Sequence, residues 1–178
     1  MIKLVDILNE IQIQPKKKIG SGEHGSVYNS RENKIIKKSN GLKGFSQEEI
    51  ENYQLFNQHP DMFPHIYKLT QDYVIMDKID SPSKELMDVY NFLDDVDIWR
   101  DDDFLTNIYD EVKNNNLKIF QQSLQKAKEL NRMDIYDTLK KCLNFCIELN
   151  KLFKNKFVDI QLSNVGIDDK GKIKIFDL

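Results

Sequence analysis

The sequence is short of cysteine and glycine, has no excess of basic charge and holds no long apolar run, and each shortage removes a class of protein. Its two cysteines, Cys142 and Cys146, lie four apart in an apolar helical pattern. Two thiols do not build the disulfide framework of a small secreted domain, so both are expected in a core rather than at a metal. With 26 Lys and Arg against 29 Asp and Glu, the formal net charge is -3. No global basic field is there to draw in a polyanion. No apolar stretch approaches the roughly 18 residues of a membrane span. The opening "MIKLVDILNE" carries Asp6 and Glu10 inside its short apolar pattern and reads as a surface helix rather than a signal peptide. Internal repeats and low-complexity linkers are absent as well. The expectation is one domain of ordinary size, or two small lobes sharing a cleft, in a reducing cytoplasmic compartment with no nucleic acid and no membrane partner. The oligomeric state is left open.

What is present has a readable order. Lys17 to Ser39 is strand-like, broken first by a glycine-rich segment and then by a turn at Arg31 to Lys34, and reads as a β-hairpin with its glycines near the first strand. Ser46 suits an N-cap, Glu48 and Glu49 fall in a first turn, and Ile50, Tyr53 and Phe56 recur at helical spacing, so a helix of about three turns follows. Pro60 and Pro64 end it. The stretch "HIYKLTQDYVIMDKI" then gives two short strands hinged at Gln71 and Asp72, and the expected order is strand, strand, helix, strand, strand. Beyond Ser81 the pattern turns helical, most clearly where Ile135, Leu139, Cys142, Cys146, Leu149 and Phe153 form one apolar stripe. Two last strands are expected around Val165 to Ile167 and Ile173 to Phe176, joined by the turn "DDKG".

Gly20, Gly22 and Gly25 are three of only seven glycines, and they stand as G-x-G-x-x-G with Ser21 inside and Val27 two places on. Backbone without side chains can approach a phosphate closely. A dinucleotide fingerprint would need a helix to begin inside the motif, yet Ser26, Val27 and Tyr28 continue as strand. The glycines therefore cap a hairpin, and on these residues alone an ordinary glycine turn stays open.

Gly20 to Val27 resembles the G-x-G-x-x-G-x-V loop of the protein-kinase-like superfamily, and the parts that follow in that family follow here in order. "KIIKK" resembles the lysine strand, with Ile35 in the place of the alanine over adenine and Lys37 in that of the phosphate-pairing lysine. Alternation puts both on one face, and a slip of one residue would put Lys38 there instead. Glu49, on the side of Tyr53 and Phe56, takes the place of the lysine's partner. Glu48 and Glu51 are neighbouring alternatives, and a merely solvated helix N-terminus is another. In "YVIMDKI", Met76 takes the gatekeeper place, Asp77 comes first in the hinge and Ile79 offers its backbone to adenine. Met76 equally suits plain core. "FVDIQLSNVGI" resembles the catalytic loop, with Asp159 at the catalytic base, Asn164 at the metal-holding amide, and Phe157 and Val158 replacing the usual His-Arg. Asp177 falls where the family places the metal-binding aspartate of D-F-G, although no glycine follows Leu178.

The resemblance spans roughly Lys16 to Leu178 and lacks an activation segment and the later helices, which makes a minimal or truncated kinase ending at the D-F-G-like aspartate. It implies an α+β fold: an antiparallel β N-lobe with one helix over residues 1–80, and a reduced, mainly helical C-lobe over 81–178. ATP and Mg²⁺ are the implied cofactors. Gly20, Ser21, Gly22, Gly25 and Val27 would cover the nucleotide, Ile35, Met76, Asp77 and Ile79 would surround adenine, and Lys37 with Glu49 would grip the α and β phosphates. Asn164 and Asp177 would hold the metal, and Asp159 would orient the acceptor. The implied activity is transfer of the γ-phosphate to a protein, of the serine/threonine type or onto itself. A small-molecule kinase and a silent nucleotide-binding module are the alternatives. Keeping Lys37, Asp159, Asn164 and Asp177 together argues against the silent one. Gln161, two residues after Asp159, is neutral and does not choose an acceptor. Asp94 to Asp103, with six aspartates in ten residues around Trp99, reads first as a solvated acidic loop and next as a lure for a cationic partner.

Overall fold

The computed structural model describes residues 17–22, 25–30, 33–40, 44–99, 103–154, 158 and 160–176. The chain forms two compact units, one of Met1–Pro60 with Pro64–Lys78, the other of Asp61–Phe63 with Ile79–Leu178. The first holds an antiparallel sheet and one described helix. The second is mainly helical, so the fold class is α+β.

Three strands, not two, precede the helix of the first unit: β1 (Lys18–Gly22), β2 (Gly25–Asn29) and β3 (Lys34–Ser39). The glycines read in sequence as a break, but their backbones keep every ladder group, and Gly20 pairs with Val27 and Gly22 with Gly25. Helix α1 (Gln47–Phe56) follows, then β4 (Ile66–Leu69) and β5 (Tyr73–Asp77), and the sheet order is β1-β2-β3-β5-β4.

Ser46 caps α1 as its position suggests. Its hydroxyl accepts the Glu49 N–H at 3.1 Å while the Glu49 carboxylate accepts the Ser46 N–H at 2.8 Å, which completes a capping box. Tyr53 and Phe56 turn the buried side of the helix inward, and Tyr53 meets the rings of Phe45 and Phe56 edge-on at 5.4 and 5.3 Å. Beyond the helix, the Asn57 amide donates to the Ile66 carbonyl at 2.9 Å and accepts the Ile66 N–H at 2.7 Å. One side chain thus satisfies both backbone groups of the first β4 residue.

The second unit contains α2 (Lys84–Asp95), α3 (Phe104–Lys113), α4 (Lys118–Glu129), α5 (Met133–Phe153) and the hairpin β6 (Val165–Ile167) with β7 (Ile173–Ile175). The stripe on α5 is buried as its spacing requires, with Thr138 and Phe145 added to it. Helix α4 has no cap of its own. The Glu111 carboxylate on α3 supplies one, accepting the N–H groups of Ile119 at 3.0 Å and Phe120 at 2.9 Å. Asp168 closes the β6–β7 turn by accepting the N–H groups of Lys170 and Lys172 at 3.0 and 2.8 Å. No described helix is long and apolar enough to cross a membrane.

Candidate functional site

Strand register decides which of two adjacent lysines belongs to the candidate site. Lys37 stands opposite Val27 on β2 and Val74 on β5, while Ile35 stands opposite Met76. Cross-strand partners share a face, so Val27, Ile35, Lys37, Val74 and Met76 leave one side of the sheet together. Tyr28, Ile36, Ile75 and Lys38 leave the other. Lys37 is only 6% exposed, whereas Lys38 is exposed and sets its Nζ 5.7 Å from the Tyr28 ring. Lysine is seldom buried, because desolvating an ammonium is costly. The Lys37 Nζ lies 5.8 Å from the Tyr53 ring centroid, which places the charge beside α1.

Gly25 has a local reason to be glycine. A Cβ there would stand 2.6 Å from the Lys38 carbonyl oxygen and 3.3 Å from the Lys37 Cε. The third glycine of the motif therefore lets β2 lie flush against the stem of the buried lysine. Gly20, Ser21 and Gly22 are in β1, with Ser21 opposite Ser26. The motif is a hairpin, in agreement with the strand-like residues that follow it.

The Glu49 carboxylate that the resemblance pairs with Lys37 also serves the end of its own helix. Glu49 is the third residue of α1, and the S-x-x-E spacing turns its carboxylate back onto the Ser46 N–H. Glu48 is exposed, and Glu51 accepts from the Gln47 side chain at 3.0 Å.

Met76 is buried between Ile35 and Ile66, an environment that suits core and gatekeeper alike. Asp77 directs its carboxylate to the neighbouring strand, accepting the Tyr67 O–H at 2.8 Å and the His65 N–H at 3.3 Å. Its side chain is thereby committed to joining β4 and β5. Ile79 belongs to the second unit, where it rests on Gly166. A Cβ at Gly166 would meet the Ile79 Cγ2 and the Asp80 carbonyl oxygen, both at 2.4 Å.

In the second unit Val158 and Ile160 are buried, so an apolar residue fills the core where the resemblance expects arginine. A single 3₁₀ turn, Leu162–Asn164, follows. The Asn164 N–H donates to the Gln161 carbonyl at 2.8 Å, and the Asn164 carbonyl accepts the Phe176 N–H at 3.1 Å. The candidate metal-holding amide is thus bonded through its backbone to the residue that precedes Asp177 in sequence. Asp159, Asp177 and Phe157 lie outside the described residues.

Two residues that sequence reading assigned to no site hold this loop. The Ser81 Oγ lies 2.9 Å from the carbonyl oxygens of Ser163 and Val165 and 3.2 Å from that of Leu162. Asp103 caps α3 through the Leu105 N–H at 3.0 Å, and its other carboxylate oxygen accepts the Leu162 N–H. An aspartate just before the apolar Phe104 and Leu105 is a legible cap signal. Its bond to Leu162, 59 positions on, has no sequence signature.

Among the described residues no group of three or more His, Cys, Asp or Glu converges. Mg²⁺ does not demand such a cage, since it keeps waters and takes one or two protein oxygens beside substrate phosphates. The half-buried Asn164 carries one amide oxygen of this kind, which accepts the Ser163 O–H at 3.5 Å. The cysteines do not compete for metal: burial holds the Cys142 thiol up at about 12 and that of Cys146 well above its ordinary value.

No protein-family model matches the chain, and no curated protein matches it. Among solved structures it is similar to the streptomycin-ATP-APH(2")-IIa ternary complex, at 15% sequence identity and a TM-score of 0.43, over 99% of this chain and 71% of that one.

Proposed function

We propose that the chain is an ATP-dependent phosphotransferase. The observation that carries this reading is the register of β3, which buries Lys37 on one face with Val27, Ile35 and Met76 and leaves Lys38 on the other. A sheet face that sets Lys37 beside Val27, Ile35 and Met76 suits a ligand that is flat and apolar at one end and anionic at the other. ATP has that character.

In this reading Gly20, Ser21, Gly22 and Gly25 present backbone to the phosphates, and Lys37 neutralises the α and β groups. Ile35, Val27 and Met76 contact the base, with backbone from Asp77 and Ile79. Glu49 keeps its helix-capping duty. Asn164 and Asp177 are the groups that would hold Mg²⁺, which when bound offsets phosphate charge. Asp159 orients the acceptor hydroxyl and takes its proton as the oxygen bonds to the γ-phosphorus and ADP leaves. The acceptor is a protein hydroxyl, this chain's own included. Calorimetric titration with Mg²⁺ and ATP tests the binding half, with saturable binding below millimolar ATP expected. No heat at millimolar ATP would end the reading. A screen of small hydroxylated acceptors beside protein acceptors tests the other half, and transfer confined to the small ones would replace the protein acceptor.

A further inference from the structure

We propose that Ser81 and Asp103 are positioning residues that hold the segment Leu162–Val165 in the shape that presents the Asn164 side chain to a Mg²⁺-phosphate group. The inference rests on the phosphotransfer reading above and adds to it two residues remote in sequence from every motif.

The segment needs ties because burial does not supply them. Val158, Ile160 and Val165 are buried and pin its ends, but Gln161 and Ser163 are exposed and Leu162 and Asn164 are only half-buried. Ordering such residues costs backbone entropy that little apolar contact offsets. Hydrogen bonds from outside the segment then decide its shape. Asp103 makes a charge-assisted one to the Leu162 N–H with the same carboxylate that caps α3, so the loop is referred to a helix terminus that is itself fixed.

Ser81 acts from the opposite polarity. Its single hydroxyl proton faces three carbonyl oxygens, those of Leu162, Ser163 and Val165 at 3.2, 2.9 and 2.9 Å. One hydroxyl donates to one acceptor at a time, so the proton is shared among carbonyls that bracket Asn164 on both sides. The backbone is wrapped around that hydroxyl. Ser81 can approach so closely because Gly166 has no Cβ to push away Ile79 and Asp80, and Asp80 forms a β-bridge with Ile167. With the Phe176 N–H on the Asn164 carbonyl, the turn is tied from three separate segments. A hydroxyl that only stapled the hairpin would need one carbonyl partner, and the convergence of three on the turn bearing Asn164 points to its shape as the thing being set.

The test compares the full chain with Ser81→Ala, Ser81→Thr and Asp103→Asn, the last keeping a side-chain oxygen for the α3 cap. Amide hydrogen exchange at Leu162 and Asn164, without nucleotide, should quicken in Ser81→Ala and Asp103→Asn by about fivefold or more, as the loss of one hydrogen bond requires. Threonine at position 81, keeping the hydroxyl, should restore it. The Mg²⁺ concentration that half-maximally strengthens ATP binding should rise severalfold in Ser81→Ala, while ATP affinity without Mg²⁺ stays unchanged. If the natural chain shows Mg²⁺-dependent ATP binding and Ser81→Ala shows the same dependence, the positioning role is overturned alone. Equal losses with and without Mg²⁺ overturn it too, because they mark a general weakening of the fold. If the natural chain binds no ATP, the phosphotransfer reading fails and the proposal falls with it, whatever the exchange data show of the tether.

Discussion

Lys37 stands opposite Val27 across the β2–β3 ladder, and the two side chains leave the same face of the sheet. Lys38, one residue on, stands opposite Ser26 and Tyr73 and is exposed. Chemically alike neighbours are thus assigned opposite environments by backbone alternation alone. Replacing Lys37 by Met should weaken ATP binding by about tenfold or more, the scale of one lost charge-assisted bond. Lys38→Met should leave it within about twofold, since only exposed charge is removed. Equal losses in the two calorimetric titrations would contradict the assignment.

The capping box gives Glu49 a job in the free protein, and this makes a separate prediction. Ser46→Ala should destabilise the protein by about 1 kcal/mol in urea denaturation, the usual cost of a lost N-cap. Glu49→Gln keeps an acceptor for the Ser46 N–H and should change stability by no more than about 0.5 kcal/mol. If Glu49→Gln instead lowered ATP affinity as much as Lys37→Met while leaving stability alone, Glu49 would be acting on the lysine and not on the helix.

Burial of the α5 thiols fixes how stability responds to alkali. Cys142 is raised from an ordinary 9.0 to about 12, and Cys146 is also raised, because desolvation penalises the thiolate. In the unfolded chain these thiols ionise near pH 9 while in the folded chain they stay protonated. The folded state then holds more protons, and its stability is complete below that pH and falls as pH rises toward about 12. The slope approaches about 1.4 kcal/mol per pH unit for each thiol. Urea midpoints at pH 8 and pH 10 should therefore diverge more in the natural chain than in Cys142→Ala. A thiol reagent at pH 8 should find neither cysteine until the protein unfolds, and rapid labelling of folded protein would refute this burial.

Much of the fold was legible because each signal is local. Alternation in Lys34 to Lys38, the N-cap at Ser46 and the stripe from Ile135 to Phe153 each report the geometry of a single element, and each element forms. The extra strand was misread because glycine lowers strand propensity without removing ladder groups, so pairing runs on through Gly20 and Gly22. Glu49 has a second role that the helix-face pattern does not report, because its bond back to the Ser46 N–H is a helix-end contact. The ties that Ser81 and Asp103 make to the Leu162–Val165 segment were beyond reach. Their partners lie 81 to 84 and 59 residues away, and chain order alone does not report such contacts.

The aspartate run from Asp94 to Asp103 shows the same limit from the other side. Read as composition it is a block of charge, yet its last member is an N-cap whose carboxylate also reaches the candidate catalytic loop. One acid in the run is structural, and the rest of the run is not explained by it.

The most direct measurement is transfer of radiolabelled γ-phosphate from ATP with Mg²⁺, comparing the natural chain with Asp159→Asn. The account predicts transfer by the natural chain and a loss of at least ~10²-fold in the variant, the usual cost of removing an acid–base group, with ATP affinity changed no more than a few-fold. Equal rates in the two proteins, or no transfer by a natural chain that binds ATP, would contradict it.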